Sequence, residues 1–184
     1  MIRSLLVVVA ISGSGCVIIE ASRVGRTPTD KDAEMVAKRL AAKVPASIER
    51  HTQVEGWIRS NSGSGMTRGG NGTEWSSHFA VLEKPGDEAN PRRLPSAAYT
   101  VILTPIRADV LAAVESTGVE VTWASPIEFR DGDQPRARFE VRYLRKERAV
   151  AGEVVGVIEP ATASGGADTR YTDVKVAQRE WVCK

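Results

Sequence analysis

Two histidines, His51 and His78, are the side chains of this 184-residue chain best suited to general acid–base chemistry. A nucleophilic serine needs such a base within hydrogen-bond reach, usually a histidine that a third group orients. Ser76 lies two residues before His78, and side chains two apart in a strand point to the same face. The sequence around Ser76 has no nucleophile-elbow pattern, so we expect His78 to be a half-exposed side chain without a catalytic role.

A glycine-rich segment, residues 60–73, contains five glycines and invites comparison with a phosphate-binding loop. The Walker pattern requires a lysine and then a serine or threonine after its last glycine. Here Gly70 is followed by Asn71 and Gly72. We therefore predict a flexible hairpin tip between two strands.

Asp131, Gly132 and Asp133 raise the question of a calcium loop, because calcium takes several oxygen ligands from one loop. Such a loop would continue with acids at alternating positions, whereas Gln134 and Pro135 follow. A plain turn is the better interpretation. Two cysteines are too few for an ordinary structural zinc site, and we predict no metal and no cofactor.

Basic residues are concentrated between residues 130 and 148, where seven basic side chains accompany four acidic ones. Arg136, Arg138 and Arg142 alternate with apolar residues and should share one strand face. That face could contact anionic lipid headgroups, a glycan phosphate or an acidic patch of a partner. The alternative, which we favour, is a solvated face with ion pairs to Glu140 and to neighbouring strands.

Length and composition restrict the classes of protein that remain. A chain of 184 residues with 42% hydrophobic residues fits one globular domain with its own core. The 25 basic and 23 acidic side chains leave a net charge of +2. Because binding to nucleic acid depends on a strong positive charge, we expect no nucleic-acid partner.

Hydrophobic periodicity predicts two helices. The first begins near Thr29, which can cap it together with Asp32, and its apolar stripe runs to Val44. Pro45 predicts that this helix ends there or restarts and reaches about Arg50. We predict the second helix over residues 105–118, after a strand over residues 98–104 that is rich in branched side chains.

Alternating apolar and polar residues predict further strands, at residues 54–59, 75–81, 119–124, 136–144, 152–159 and 170–182. Alternation with one polar face is typical of an antiparallel sheet that is covered on one side only. The strands do not alternate regularly with helices, which argues against a doubly wound parallel sheet. We therefore predict an α+β fold, with a mostly antiparallel sheet of five to seven strands and two helices packed on one face.

The first sixteen residues carry the strongest signal for the location of the protein. Arg3 is followed by an uninterrupted apolar stretch over residues 5–11, then by the small residues 12–15 and by Cys16. A charged start, a short apolar stretch and small residues before a cleavage site are typical of a secretory signal peptide. The uncharged stretch of residues 4–19 is shorter than the roughly 20 residues that a membrane-spanning helix needs.

Ser14, Gly15 and Cys16 together make this segment resemble a bacterial lipoprotein precursor. The resemblance implies that residues 1–15 are removed as a signal peptide and that Cys16 receives a diacylglyceryl group and an acyl chain. Residues 16–28 would then be the lipidated tether, and residues 29–184 a single domain. An ordinary secreted protein, an uncleaved anchor, a cytoplasmic form and a disulfide between Cys16 and Cys183 remain open as alternatives.

Taken together, these features predict a non-catalytic lipoprotein of the cell envelope that faces the periplasm or the exterior. The expected partners are the membrane, through the lipid on Cys16, and an envelope protein. Two alternatives remain open: an exported enzyme of unknown reaction type, and a carrier of an apolar ligand between helices and sheet.

Overall fold

The computed structural model describes residues 31–52, 57–66, 72–82, 86, 89–145, 150–161 and 170–182. These residues form two helices and seven strands, which confirms the predicted α+β class with an antiparallel sheet. In chain order the elements are α1 (Lys31–His51), β1 (Trp57–Met66), β2 (Gly72–Val81), α2 (Ser96–Glu115), β3 (Glu120–Ala124), β4 (Glu128–Arg130), β5 (Arg136–Arg145), β6 (Val150–Pro160) and β7 (Thr172–Val182).

The sheet has the strand order β1-β2-β7-β6-β5-β3, and every neighbouring pair is antiparallel. The short strand β4 also pairs with β5, next to the stretch that β3 occupies. The predicted turn over residues 131–133 connects β4 to β5.

The two faces of the sheet differ sharply in character. On one face, here called the inner face, the side chains of β2, β5, β6 and β7 join the helices in one hydrophobic core. Its apolar members from these strands are Trp75, Phe79, Ala137, Phe139, Val141, Tyr143, Val154, Ile158, Val174 and Val176. The opposite, outer face carries the charged side chains that alternate with them along β5 and β7.

Two glycines of β6 make room for large aromatic rings on β5. Gly156 lies directly opposite Phe139, and Gly152 lies directly opposite Tyr143. A Cβ atom added to Gly156 would lie 2.1 Å from Cε1 of Phe139, and one added to Gly152 would lie 2.2 Å from the Tyr143 oxygen. Since both rings are almost completely buried, these positions require a residue without a side chain.

Helix α1 contributes Val36, Leu40, Val44 and Ile48 to the core, as the predicted stripe requires. The helix continues through Pro45 to His51 without the break that we allowed for. A proline cannot donate to the carbonyl four residues earlier, and that residue, Ala41, is exposed. Water can hydrate the carbonyl, which explains why the proline is tolerated.

Helix α2 corrects one prediction. Residues 98–104 belong to the first half of this helix and do not form the separate strand that we predicted. Its eight buried residues recur at helical spacing: Ala98, Tyr99, Ile102, Leu103, Ile106, Val110, Ala113 and Val114. A continuous apolar run cannot distinguish a strand from a buried helix, and burial in the core decided the outcome.

The glycine-rich segment is also more regular than the flexible tip that we predicted. Strand β1 continues through Met66 and β2 begins at Gly72, so much of residues 60–73 pairs as a regular hairpin. The tip at residues 67–71 lies outside the described residues. Backbone hydrogen bonds to β2 order this stretch despite its low strand propensity.

Candidate functional site

Cys16, the predicted site of lipid attachment, lies outside the described residues, together with the apolar stretch before it and with Cys183. Lipid attachment and the open question of a disulfide therefore stay predictions from the sequence. The remaining candidate residues all lie in the described part of the structure.

The three predicted arginines do share the outer face, where they alternate with buried residues of β5. Arg138 and Arg142 both pair with the carboxylate of Glu140 on the same strand, the second at 3.4 Å. Arg136 Nε lies 3.5 Å from Glu159 Oε2 on β6. These acidic partners neutralise much of the positive charge that the sequence places on this strand.

The rest of the outer face has charges of both signs. Lys175 Nζ on β7 lies 3.3 Å from Asp173 Oδ2 and 3.8 Å from Glu159 Oε1. Arg179 Nη1 lies 3.8 Å from Glu153 Oε1 on β6. The outer face is thus a network of partly exposed ion pairs, each worth little in water, and it is not a basic patch.

His78 is held in place by two neighbours at one end of the outer face. Its Nδ1 lies 2.6 Å from Asp173 Oδ1, and its ring stacks on Tyr171 with centroids 4.5 Å apart. Because an ionised carboxylate only accepts hydrogen bonds, Nδ1 carries the hydrogen of this bond. This is the arrangement of a histidine oriented by a third group.

Ser76 shares the outer face with His78, as predicted, and lies directly opposite Lys175. The described hydrogen bond of the His78 side chain goes to Asp173. No hydrogen bond joins the two side chains in the described part of the structure. The structure therefore supplies an oriented histidine without a serine bonded to it.

His51 serves to join the two helices. Its Nε2 lies 3.1 Å from Asp109 Oδ2 on α2, and the Ser47 hydroxyl donates to the same oxygen at 2.6 Å. Desolvation, the largest single influence, raises the pKa of Asp109, but the bonds from Ser47 and His51 and the charge of Arg50 together lower it. Both predicted histidines are thus bound to an aspartate on another element.

The turn at residues 131–133 follows the prediction. Gly132 has a φ of 124°, a conformation that side chains rarely adopt, and its N–H donates to Asp131 Oδ1 at 2.9 Å. Among the described residues, no group of three or more histidine, cysteine, aspartate or glutamate side chains could hold a metal ion.

A cleft of about 630 Å³ lies beside this turn, at the end of the sheet. Three segments line it: Arg93 from the stretch before α2, residues 130–136 around the turn, and residues 159–161 at the end of β6. Its volume lies within the range of roughly 300–1,000 Å³ that is usual for small-ligand sites.

The charges in this cleft are largely unpaired, unlike those of the outer face. Arg93 and Arg130 form no ion pair with any described residue, and the same is true of Asp131 and Asp133. Arg136 and Glu159 pair with each other on the wall of the cleft. Two guanidinium groups and two carboxylates therefore remain free to contact a ligand.

The inner face contains a buried polar cluster that we did not predict from the sequence. Gln178 Nε2 donates to Glu180 Oε1 at 2.6 Å, and the Tyr143 hydroxyl donates to the same oxygen at 3.4 Å. Glu180 is only 5% exposed, and this burial raises its pKa from 4.5 to about 7. Burial likewise raises the pKa of Tyr143 well above 10.0.

A signal for this cluster is nevertheless present in the sequence. Along β7, Gln178 and Glu180 continue the alternation of Val174 and Val176, so their phase places them on the buried face. A polar residue at a buried position of a strand needs a hydrogen-bond partner. The identity of that partner, Tyr143 on β5, depends on the order of the strands.

Comparison with known proteins adds no functional assignment, since the chain matches no protein-family model and no curated protein sequence. The candidate sites must therefore be judged on their own geometry and chemistry.

Proposed function

We propose that this chain is a lipid-anchored protein of the cell envelope whose domain has a non-catalytic binding or assembly role. The lipid on Cys16 would attach the domain to a membrane, facing the periplasm or the exterior. The support for this location is the sequence of residues 1–16, with its charged start, apolar stretch and small residues before the cysteine.

The cleft beside the turn is the observation that carries the binding role. It has the volume of a ligand site, and its unpaired charges are held on strand ends and on the turn between them. Charges of both signs lie together in this cleft without forming ion pairs to described residues, whereas the arginines of β5 pair with carboxylates, and this grouping favours a ligand that contacts both signs.

The packing of α2 supports assigning the membrane attachment to Cys16. Among the described helices, α2 is long and apolar enough to cross a membrane. Eight of its residues, however, are buried in the core of the domain, and Tyr99 contacts Thr172 on β7 through their hydroxyl oxygens, 3.3 Å apart. Removing α2 into a bilayer would dismantle that core.

Intact mass spectrometry and membrane fractionation of the native protein beside a Cys16→Ser variant test this proposal. We expect the native protein to lack residues 1–15, to carry the mass of two or three acyl chains and to sediment with membranes. The variant should lack the lipid mass. An unmodified native protein that keeps its first fifteen residues would overturn the proposed location.

A second candidate function is an exported enzyme built around His78. The observation that favours it is the bond from Nδ1 to Asp173, which orients the ring as the third group of a catalytic site would. Among the described residues Ser76 forms no hydrogen bond with His78, and this counts against a serine nucleophile.

A fluorophosphonate probe, which reacts covalently with activated serines, tests the form of this enzyme in which Ser76 is the nucleophile. Under our proposal the native chain and the Ser76→Ala and His78→Ala variants all remain unlabelled. Labelling of the native chain that both variants abolish would establish the enzyme and overturn the non-catalytic role. Ser77→Ala provides the matched control, because Ser77 is buried on the inner face.

A further inference from the structure

We infer that the cleft beside the turn binds a small zwitterion, a ligand that carries an oxyanion and an ammonium group. This inference rests on the binding role proposed above and names the chemistry of the ligand. Its basis is the pairing pattern of the charges that line the cleft.

The two unpaired guanidinium groups would hold the oxyanion. Arg93 approaches the cleft from the segment before α2, and Arg130 from the end of β4. A guanidinium presents a planar set of donors that matches the oxygens of a phosphate or a carboxylate, often through two parallel bonds. Arg136 is less suited to this task, because Glu159 already occupies its Nε.

The two unpaired carboxylates exclude a simple anion as the best ligand. Asp131 and Asp133 belong to the lining of the same cleft, where they would repel a phosphate ion that approaches the arginines. Asp131 Oδ1 accepts only from the backbone N–H of Gly132, and Asp133 has no partner among the described residues. An ammonium group satisfies these oxygens and also cancels their charge.

The charge balance of the cleft supports the same conclusion. The ion pair of Arg136 with Glu159 is internally neutral, and the four remaining charges sum to zero. A ligand with one charge of each sign leaves the occupied cleft neutral, whereas a ligand with a single charge leaves an uncompensated one. Desolvating an uncompensated charge is costly, so we expect selectivity for the zwitterion.

Titration calorimetry of the full-length chain in detergent micelles tests the inference. The probes are two zwitterions that carry one charge of each sign, glycerophosphoethanolamine and diglycine, and two singly functional ions, inorganic phosphate and ethanolamine. At least one zwitterion should bind about tenfold or more tightly than either ion, since one charged hydrogen bond is worth that factor. Absence of zwitterion binding, or equal affinity for phosphate alone, would overturn the inference.

Three substitutions locate the site and separate its two halves. Arg93→Gln and Arg130→Gln should each weaken zwitterion binding about tenfold or more. Asp133→Asn should weaken zwitterion binding and remove the selectivity over inorganic phosphate. Arg138→Gln is the matched control, because this arginine is paired with Glu140 and does not line the cleft.

The variants also show whether the ligand binds in the cleft or elsewhere. Arg130 and Asp133 are exposed, so their substitution should leave the thermal unfolding midpoint unchanged and report on binding alone. If Arg138→Gln weakens binding as much as Arg130→Gln does, the ligand binds elsewhere and the assignment to the cleft is wrong. A lipidated protein that binds no zwitterion would refute this inference while leaving the membrane attachment intact.

Discussion

The two faces of the sheet use the same residue type in opposite ways. Glu180 on the inner face is 5% exposed and shares its hydrogen bonds with Gln178 and Tyr143. Glu140 on the outer face keeps 21% of its side chain exposed and pairs with two arginines. The comparison shows two ways of holding a carboxylate in this sheet: burial against neutral hydrogen-bond donors raises the pKa of Glu180, whereas Glu140 lies partly exposed between two cations.

A second contrast lies between the outer face and the cleft at the end of the sheet. Along β5 and β7 the arginines and carboxylates pair with one another, whereas Arg93, Arg130 and Asp133 at the cleft do not. Charged side chains that lie side by side on a flat sheet reach each other across the strands. At the end of the sheet the chain turns away, and the charges of the cleft face open space instead of a neighbour.

Enlarging a glycine of the inner face should produce the largest effect on stability. We expect Gly156→Val to lower the free energy of unfolding by at least about 3 kcal/mol, because overpacking here displaces the buried ring of Phe139. Chemical denaturation monitored by circular dichroism measures the loss. The control is Ala177→Val on the outer face, which should change stability by less than about 0.5 kcal/mol.

The contrast between the two faces is contradicted if Gly156→Val and Ala177→Val lower the free energy of unfolding by the same amount. Equal losses would mean that the outer face is packed as tightly as the core, in conflict with the exposed arginines beside it.

Replacement of the buried carboxylate of Glu180 tests the inner face through the pH dependence of the unfolding free energy. A rise in the pKa of Glu180 from 4.5 to about 7 corresponds to about 3 kcal/mol. The native state holds this proton more tightly than the unfolded chain, so its contribution to stability is complete below pH 4.5 and is lost as the pH rises through 7. Glu180→Gln should therefore stabilise the protein by up to about 3 kcal/mol at pH 8.

Unfolding free energies of the native and Glu180→Gln chains, measured from pH 4 to pH 8, check this sign. The difference between them should grow towards pH 8 in favour of the variant. As a control, Glu153→Gln on the outer face should differ from the native chain by less than about 0.5 kcal/mol at pH 8. A variant that is less stable than the native chain at pH 8 would contradict the raised pKa.

Removing an outer-face carboxylate should have the smallest effect. We expect Glu140→Gln to cost no more than about 1 kcal/mol, although it breaks the ion pairs with Arg138 and Arg142, because these pairs are partly exposed. The loss should shrink in 1 M salt, which screens surface charges. Denaturation at low and high salt measures it, and a loss above about 2 kcal/mol would show that the outer face is buried in solution.

Several elements of the fold follow directly from local patterns. From residue 136 to residue 144, strand β5 alternates between buried residues and residues that are exposed or half-buried, and the turn at Gly132 carries its own signature of aspartates and glycine. These patterns are local, since the side-chain period of a strand and the backbone freedom of glycine depend on neighbouring residues alone.

Other elements depended on contacts between distant residues. The apolar run at the start of α2 is compatible with a strand or a helix, and only its burial against the sheet selects the helix. Similarly, the glycine-rich end of β1 is ordered by pairing with β2. Local propensity could not predict either result, because the deciding energy comes from tertiary contacts.

The sequence alone thus determined the α+β class, the phase of the strands and the membership of Arg136, Arg138 and Arg142 in one face. Only the tertiary structure decided that these arginines are paired, that Asp173 orients His78 and that Arg93 shares a cleft with Arg130. The physical reason is distance along the chain. Hydrophobic periodicity is a property of adjacent residues, whereas the pairing of charges depends on which strands the fold places side by side.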